Sequence, residues 1–138
     1  MIRIVIADDH KMMREGLKHI VEHASDIDLA GEAINGVEAL DHACKGGFDL
    51  LVLDLSMPGL SGAELIHRIK RMAPSLPLLV LTMYEEELYV NKAIQCGADG
   101  VLAKENASED FLDAIRKVAA GETYLPQVMT EELEVEFY

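Results

Sequence analysis

The stretch Phe48–Gly62, FDLLVLDLSMPGLSG, decides how the rest of this 138-residue chain is read. Its first half, FDLLVLDL, has the unbroken hydrophobicity of a strand covered on both faces, yet it admits Asp54 where hydrocarbon is expected. Its second half, SMPGLSG, carries the Pro and Gly of a turn. An acid at that junction stands at a strand's end, its backbone held by a sheet and its side chain at an exposed edge.

The same reading extends to both sides. IRIVIA (2–7) is a β-branched strand, and HKMMREGLKHIVEH (10–23) carries Met13, Leu17, Ile20 and Val21 at helical spacing. DLAGEA (28–33) reads as a weaker strand, followed by a helix over NGVEALDHAC (35–44) that opens at Asn35 or Gly36. Beyond the quoted strand, SGAELIHRIKRM (61–72) is a helix with Ser61 as N-cap and Glu64 in the capping-box position, ended by Pro74 and Pro77. LLVLTM (78–83) is a fourth strand buried on both faces, and EEELYVNKAIQCG (85–97) a fourth helix, acidic in its first turn and closed by Gly97. GVLAK (100–104) is a short fifth strand, and ASEDFLDAIRKVAAG (107–121) a fifth helix with Ser108 near its N-cap and Gly121 after its end. Uninterrupted strand–helix alternation predicts a parallel sheet with helices on both faces, because parallel neighbours need right-handed crossovers. In such a sheet ligands sit at the carboxyl ends of the strands.

Composition narrows the class. Half of the residues are hydrophobic and 27% are charged, the balance of one globular domain with a proper core. The net charge of −13, from 25 acidic against 12 basic side chains, repels phosphate backbones and anionic lipid. Direct nucleic-acid binding by this chain and a membrane role are therefore not expected. No apolar run approaches the roughly 20 residues a bilayer needs. MIRIVIADD meets acids too early for a signal peptide, which predicts a cytoplasmic protein. Cys44 and Cys96 form no CxxC pair and fall on helical segments, the pattern of reduced, mostly buried thiols.

The strand ends carry the chemistry. Strand one ends in Asp8 and Asp9, strand three in Asp54, strand four in Thr82 and strand five in Lys104, so the architecture collects them at one rim. Each alone has an ordinary structural explanation. Together, three carboxylates raise one another's pKa and repel unless a cation lies between them. Oxygen ligands with positions left for water suit Mg2+ and suit zinc poorly. Three carboxylates, a dication and Lys104 sum to a neutral site, which can accept one more anion. A phosphoryl group fits: Asp54 as nucleophile, Lys104 balancing charge and Thr82 supplying a hydroxyl donor. The turn after Asp54 can aim a main-chain carbonyl, that of Ser56, at the metal.

With these residues the chain resembles the receiver domain of bacterial two-component response regulators. The motifs that carry the resemblance are ADDH (7–10), LDLSMPGLSG (53–62), LT (81–82) and GADGVLAKE (97–105), and they cover residues 2 to about 121. ADDH, an acid instead of proline after Lys104, and GETYLP (121–126) look most like the NarL/LuxR-type subgroup, whose receivers precede a helix-turn-helix domain. The resemblance implies a flavodoxin-like, doubly wound (βα)5 sandwich of the α/β class with parallel sheet order 2-1-3-4-5. It also implies a receiver over residues 1–121 and a linker or tail over 122–138. It implies phosphorylation of Asp54 by a sensor histidine kinase, Mg2+ held by Asp9, Asp54 and the Ser56 carbonyl, and Asp8 acting through a metal-bound water. Thr82 and Lys104 take switch roles, and the domain itself catalyses transfer onto its aspartate and the later hydrolysis. A C-terminal helix-turn-helix output domain in the full-length protein and a homodimer formed on phosphorylation are further implications. One position departs from the pattern: the aromatic residue usual three places before the lysine is here Val101. Tyr84, two after Thr82, either substitutes for it in part or tunes dephosphorylation from an exposed position.

Two other function classes share some of these features. A Mg2+-dependent phosphohydrolase with an aspartyl nucleophile resembles DxDxT after the first strand, whereas here the candidate nucleophile follows the third. A phosphate-independent pseudo-receiver would lack an acid or the lysine, and a stand-alone receiver would act through protein contacts. The segment ETYLPQVMTEELEVEFY (122–138) reads either as the start of a linker or as a genuine tail. No helix-turn-helix follows, so this chain alone is not expected to read DNA. His19 and His23 have the i,i+4 spacing of a metal pair without a third ligand, which predicts solvent-facing helix residues. Met12 and Met13 read as core filler or surface, and His10 sits beside the acid pocket at the entry to the first helix.

Overall fold

The structure, a computed structural model, describes residues 1–60, 62–83 and 87–126. Strands and helices alternate throughout: β1 (Ile2–Ala7), α1 (Lys11–Glu22), β2 (Ile27–Ala33), α2 (Gly36–Lys45), β3 (Leu50–Asp54), α3 (Gly62–Met72), β4 (Leu78–Thr82), α4 (Glu87–Cys96), β5 (Gly100–Ala103) and α5 (Ala107–Ala119). All strand pairings are parallel, in the order β2-β1-β3-β4-β5, the flavodoxin-like doubly wound arrangement expected from the sequence.

The apolar runs of β1, β3, β4 and β5 are continuous because both faces of the sheet are covered. Period-two alternation sends Val5, Ala7, Leu51, Leu53, Leu78 and Val80 to the face covered by α2, α3 and α4. The intervening Ile4, Ile6, Leu50, Val52, Leu79 and Leu81 meet α1 and α5 on the other face, around the fully buried Phe111. Right-handed crossovers dictate this split: the chain moves from β1 to β2 in one direction and from β2 through β5 in the other. The reversal leaves a crevice at the carboxyl ends of β1 and β3.

Local chemistry sets the element ends. Asn35 caps α2 through a side-chain oxygen that accepts from Glu38 N–H at 2.9 Å, while Glu38 Oε1 accepts from Ile34 N–H. Gly36 has no alternative, since a Cβ there would run into the Leu60 carbonyl of the loop after β3. Gly59, at φ +74°, lets that loop turn. α5 starts at Ala107 after a 3-10 turn at Lys104–Asn106, so Ser108 lies within its first turn and is not the cap. Ser61 and Tyr84 lie outside the described residues. The thiols also depart from expectation: both are free, but Cys44 is exposed on the outer side of α2 and Cys96 is half-buried. His19 and His23 are exposed, their rings 4.6 Å apart edge to face.

Beyond α5 the chain returns to the sheet. Val101 N–H donates to the Tyr124 carbonyl at 2.8 Å, Tyr124 forms a parallel bridge with Gly100, and Lys117 Nζ lies 5.7 Å over the Tyr124 ring. Tyr124 packs against the α1/α5 core and Leu125 against the opposite one, so the segment covers the open edge of β5. Ending the chain after Gly121 is expected to lower unfolding stability by about 2–4 kcal/mol, from lost apolar burial and edge hydrogen bonds. Urea denaturation of the shortened and full chains measures this, and equal midpoints would contradict it.

Candidate functional site

The rim at the β1/β3 crevice is built from the strand ends. Asp8 follows β1 directly and Asp54 closes β3; both are fully buried, while the Asp9 side chain is 28% exposed. Thr82 closes β4 and is buried, and Lys104 follows β5 with its side chain 8% exposed. Sheet order places β3 beside both β1 and β4, which is why residues distant in sequence converge here.

Three features hold the acids in place. Asp54 Oδ1 accepts from Ser56 N–H at 3.0 Å, which ties the acid to the turn behind it. Asp8 Oδ1 accepts from His10 N–H at 2.9 Å, turning the chain into α1. Arg14, one turn further along α1, donates from Nη1 to the Asp8 carbonyl at 2.8 Å and from Nε to Glu32 at 3.2 Å. No sequence motif marks Arg14; its only signal is its place one helical turn after His10, from which it reaches the ends of β1 and β2.

The electrostatics are unbalanced. Lys104 Nζ lies 3.0 Å from Asp54 Oδ2 and 3.6 Å from Asp8 Oδ2, close enough for attraction but not aligned as a hydrogen bond. Asp8 Oδ2, Asp9 Oδ1 and Asp54 Oδ2 are therefore buried without a hydrogen-bond partner. Burial foremost pushes the Asp54 carboxyl above its ordinary range; the Ser56 N–H and Lys104 oppose the shift, and the Asp8 charge adds to it. One lysine does not offset several carboxylates. Ligand atoms from Asp8, Asp9, His10 and Asp54 lie within 4.8 Å of one another, a spacing that a hard dication can bridge. The orphaned oxygens are a donor set that fits Mg2+.

Val101, the other predicted switch position among the described residues, lies away from the acids. Val101 is buried inside β5 and contacts the C-terminal segment through its N–H. No aromatic side chain stands at that position. Among the described residues no helix is long and apolar enough to cross a membrane.

Comparison with known proteins agrees with this arrangement. Residues 4–116 match the response regulator receiver domain family. The chain is 37% identical over 137 residues to the oxygen regulatory protein NreC of Staphylococcus epidermidis, covering 99% of this chain and 63% of that protein. It is 38% identical over 130 residues to the nitrate/nitrite response regulator protein NarL of Escherichia coli K12, covering 94% and 60%. The chain thus spans somewhat less than two thirds of the length of these relatives. Among solved structures, a LuxR-family two-component response regulator from Aurantimonas superposes with a TM-score of 0.89 at 28% identity, covering 97% of this chain and 96% of that one. The isolated receiver domain of RcsB from Salmonella enterica, in its apo form, gives 0.88 at 28% identity, covering 97% and 99%. Fold and rim define a phospho-signalling receiver module. The chain belongs to the response regulator receiver domain family, in its NarL/LuxR-type branch.

Asp54→Asn removes the charge of a buried, crowded carboxylate while keeping its shape, so it is expected to stabilise the metal-free protein at neutral pH by about 1–2 kcal/mol. The sign of the pH dependence follows from the raised carboxyl. Wild type binds a proton at Asp54 more tightly when folded than when unfolded, so its stability deficit grows as pH rises through that raised range. The gap between variant and wild type should close on acidification below the ordinary carboxylate range. Denaturant titrations of both proteins across pH measure it; a gap that widens toward acid contradicts the assignment.

Proposed function

We propose that this receiver accepts a phosphoryl group on Asp54 and uses it to switch an output. The observation that carries the reading is the set of buried oxygens on Asp8, Asp9 and Asp54 without hydrogen-bond partners, with Lys104 beside those of Asp8 and Asp54. Asp9, Asp54 and the Ser56 carbonyl, with Asp8 beside them, would hold a Mg2+ ion, which would supply positive charge against the phosphoryl oxygens.

The chain's own groups do the rest. A carboxylate oxygen of Asp54 attacks phosphorus as the bond from phosphorus to the donor nitrogen of a sensor kinase's phosphohistidine breaks. The electron pair leaves on that imidazole nitrogen, which takes up a proton. The Ser56 N–H restrains the Asp54 carboxylate, and the sheet fixes its backbone, so little reorganisation accompanies attack. Lys104 and the Thr82 hydroxyl are drawn toward the new phosphoryl oxygens, which add nearly two negative charges and three acceptors. Their movement biases the ends of β4 and β5. Lys104 follows directly on β5, whose Val101 binds the C-terminal segment, and this supports a route for the signal toward residues beyond 121.

The remaining assignments follow the same reading. Residues 1–121 are the receiver and 122–138 the connection to a C-terminal helix-turn-helix output domain, as the greater length of the relatives supports. The protein works in the cytoplasm, where its kinase supplies phosphate, and phosphorylation promotes a homodimer. With Mg2+, acetyl phosphate should add one phosphoryl mass to wild type and none to Asp54→Asn. Lys104→Ala should still take up the phosphoryl group, yet lose the phosphate-dependent change in sedimentation. Uptake by Asp54→Asn equal to wild type would remove Asp54 from its role.

A further inference from the structure

His10 is the one nitrogen donor in the acidic cluster identified among the described residues. Its Nδ1 lies 3.1 Å from Asp8 Oδ1, 3.2 Å from Asp9 Oδ1 and 3.7 Å from Asp54 Oδ2. The first of these is a hydrogen bond, with Nδ1–H toward the carboxylate. The second is an equally close approach that leaves Asp9 Oδ1 without a hydrogen-bond partner. Neighbouring donors on an octahedral ion with bonds near 2.1 Å stand about 3.0 Å apart, so the ring and the Asp9 carboxylate already sit close to adjacent ligand positions. With its proton on Nε2, the ring offers a lone pair on Nδ1 from the same place. The His10 main chain is anchored at the rim, because its N–H is bonded to Asp8 Oδ1.

We propose that His10 Nδ1 is a metal ligand of this rim, which makes it a mixed nitrogen and oxygen site preferring a first-row transition dication over Mg2+. The inference rests on the reading of the rim as a dication site and adds a donor and a metal class to it. The two buried carboxylate oxygens without hydrogen-bond partners, on Asp8 and Asp54, share one lysine between them and point to an ion in the cluster independently of the histidine. Imidazole suits Ni2+ and Zn2+, whereas Mn2+ and still more Mg2+ favour oxygen, so this donor shifts the selectivity of an otherwise all-oxygen site. The His10 side chain is 58% exposed, which leaves it able to rotate onto an ion without repacking the core.

The test uses the full 138-residue chain with His19→Ala and His23→Ala, so that the exposed i,i+4 pair on α1 cannot bind the probe ions. Binding of Mg2+, Mn2+ and Ni2+ is measured calorimetrically with and without His10→Ala, and circular dichroism checks the fold. His10→Ala should weaken Ni2+ by about tenfold or more and Mn2+ less, while Mg2+ changes by less than about twofold. Electron spin echo modulation of bound Mn2+ should carry the coupling of an imidazole nitrogen, lost in His10→Ala. Equal shifts for Ni2+ and Mg2+, or nitrogen coupling that survives the substitution, overturns the assignment. Asp9→Asn separates the two levels of the reading. If it abolishes Mg2+ binding while His10→Ala leaves the Ni2+ to Mg2+ ratio unchanged, only the histidine assignment falls. Mg2+ binding that survives Asp9→Asn removes the rim as a metal site and this inference with it.

Discussion

Repulsion among the carboxylates of Asp8, Asp9 and Asp54 is the constraint on which the rest of the structure depends. Left to themselves these acids would turn toward water. They stay together because Asp8 and Asp54 continue strands whose backbones are fixed by neighbours on both sides, and the helices on the two faces leave no room to splay. The cost is confined to the rim, while two apolar layers supply the stabilisation that sustains it. Natural proteins keep such local conflict where function uses it. Here it leaves buried carboxylate oxygens arranged as a donor set that fits a hard dication.

The supports around the acids divide into rigid and responsive ones. Ser56 N–H, His10 N–H and the Arg14 guanidinium act through backbone atoms or on carboxylate oxygens set by the backbone, and they define where the acids stand. Lys104 is different. It is held by charge at 3.0 Å from Asp54 without an aligned hydrogen bond, on a long side chain at the start of a short 3-10 turn. A group attracted but not locked can respond to a change in the charge beside it. Signal transfer needs two arrangements whose balance the phosphoryl group shifts, and the route has to be a physical one. The β5 strand joins the rim to the returning segment: Lys104 extends one end, and the Val101 N–H and Gly100 hold Tyr124 along its edge.

Much of this was legible in the chain. The run FDLLVLDL announced a strand buried on both faces, because only a doubly covered strand dispenses with alternation. Alternation of such runs with amphipathic segments required parallel pairing, and the rule for ligands at carboxyl ends then collected Asp8, Asp9, Asp54, Thr82 and Lys104 at one rim. Asn35 announced its helix through a local hydrogen bond that involves a residue three positions away. Other expectations failed for lack of such local causes. Cys44 falls on a helix whose buried stripe is Gly36, Ala39 and Ala43, and its position one residue further around the turn exposes it.

What the sequence determined by itself was the fold and the identity of the residues at the rim, since periodicity, turn chemistry and chain order act over a few residues at a time. Tertiary structure alone decided the quantities that depend on distance through space. The depth at which Asp8 and Asp54 are buried, the absence of partners for their outer oxygens, the approach of the His10 ring, the reach of Arg14 and the return of Tyr124 to β5 all arise between segments far apart in the chain. Electrostatic cost and coordination geometry vary with tenths of an ångström and with the surrounding dielectric. Neither is encoded in residue type or spacing until the strands are paired and the helices packed against them.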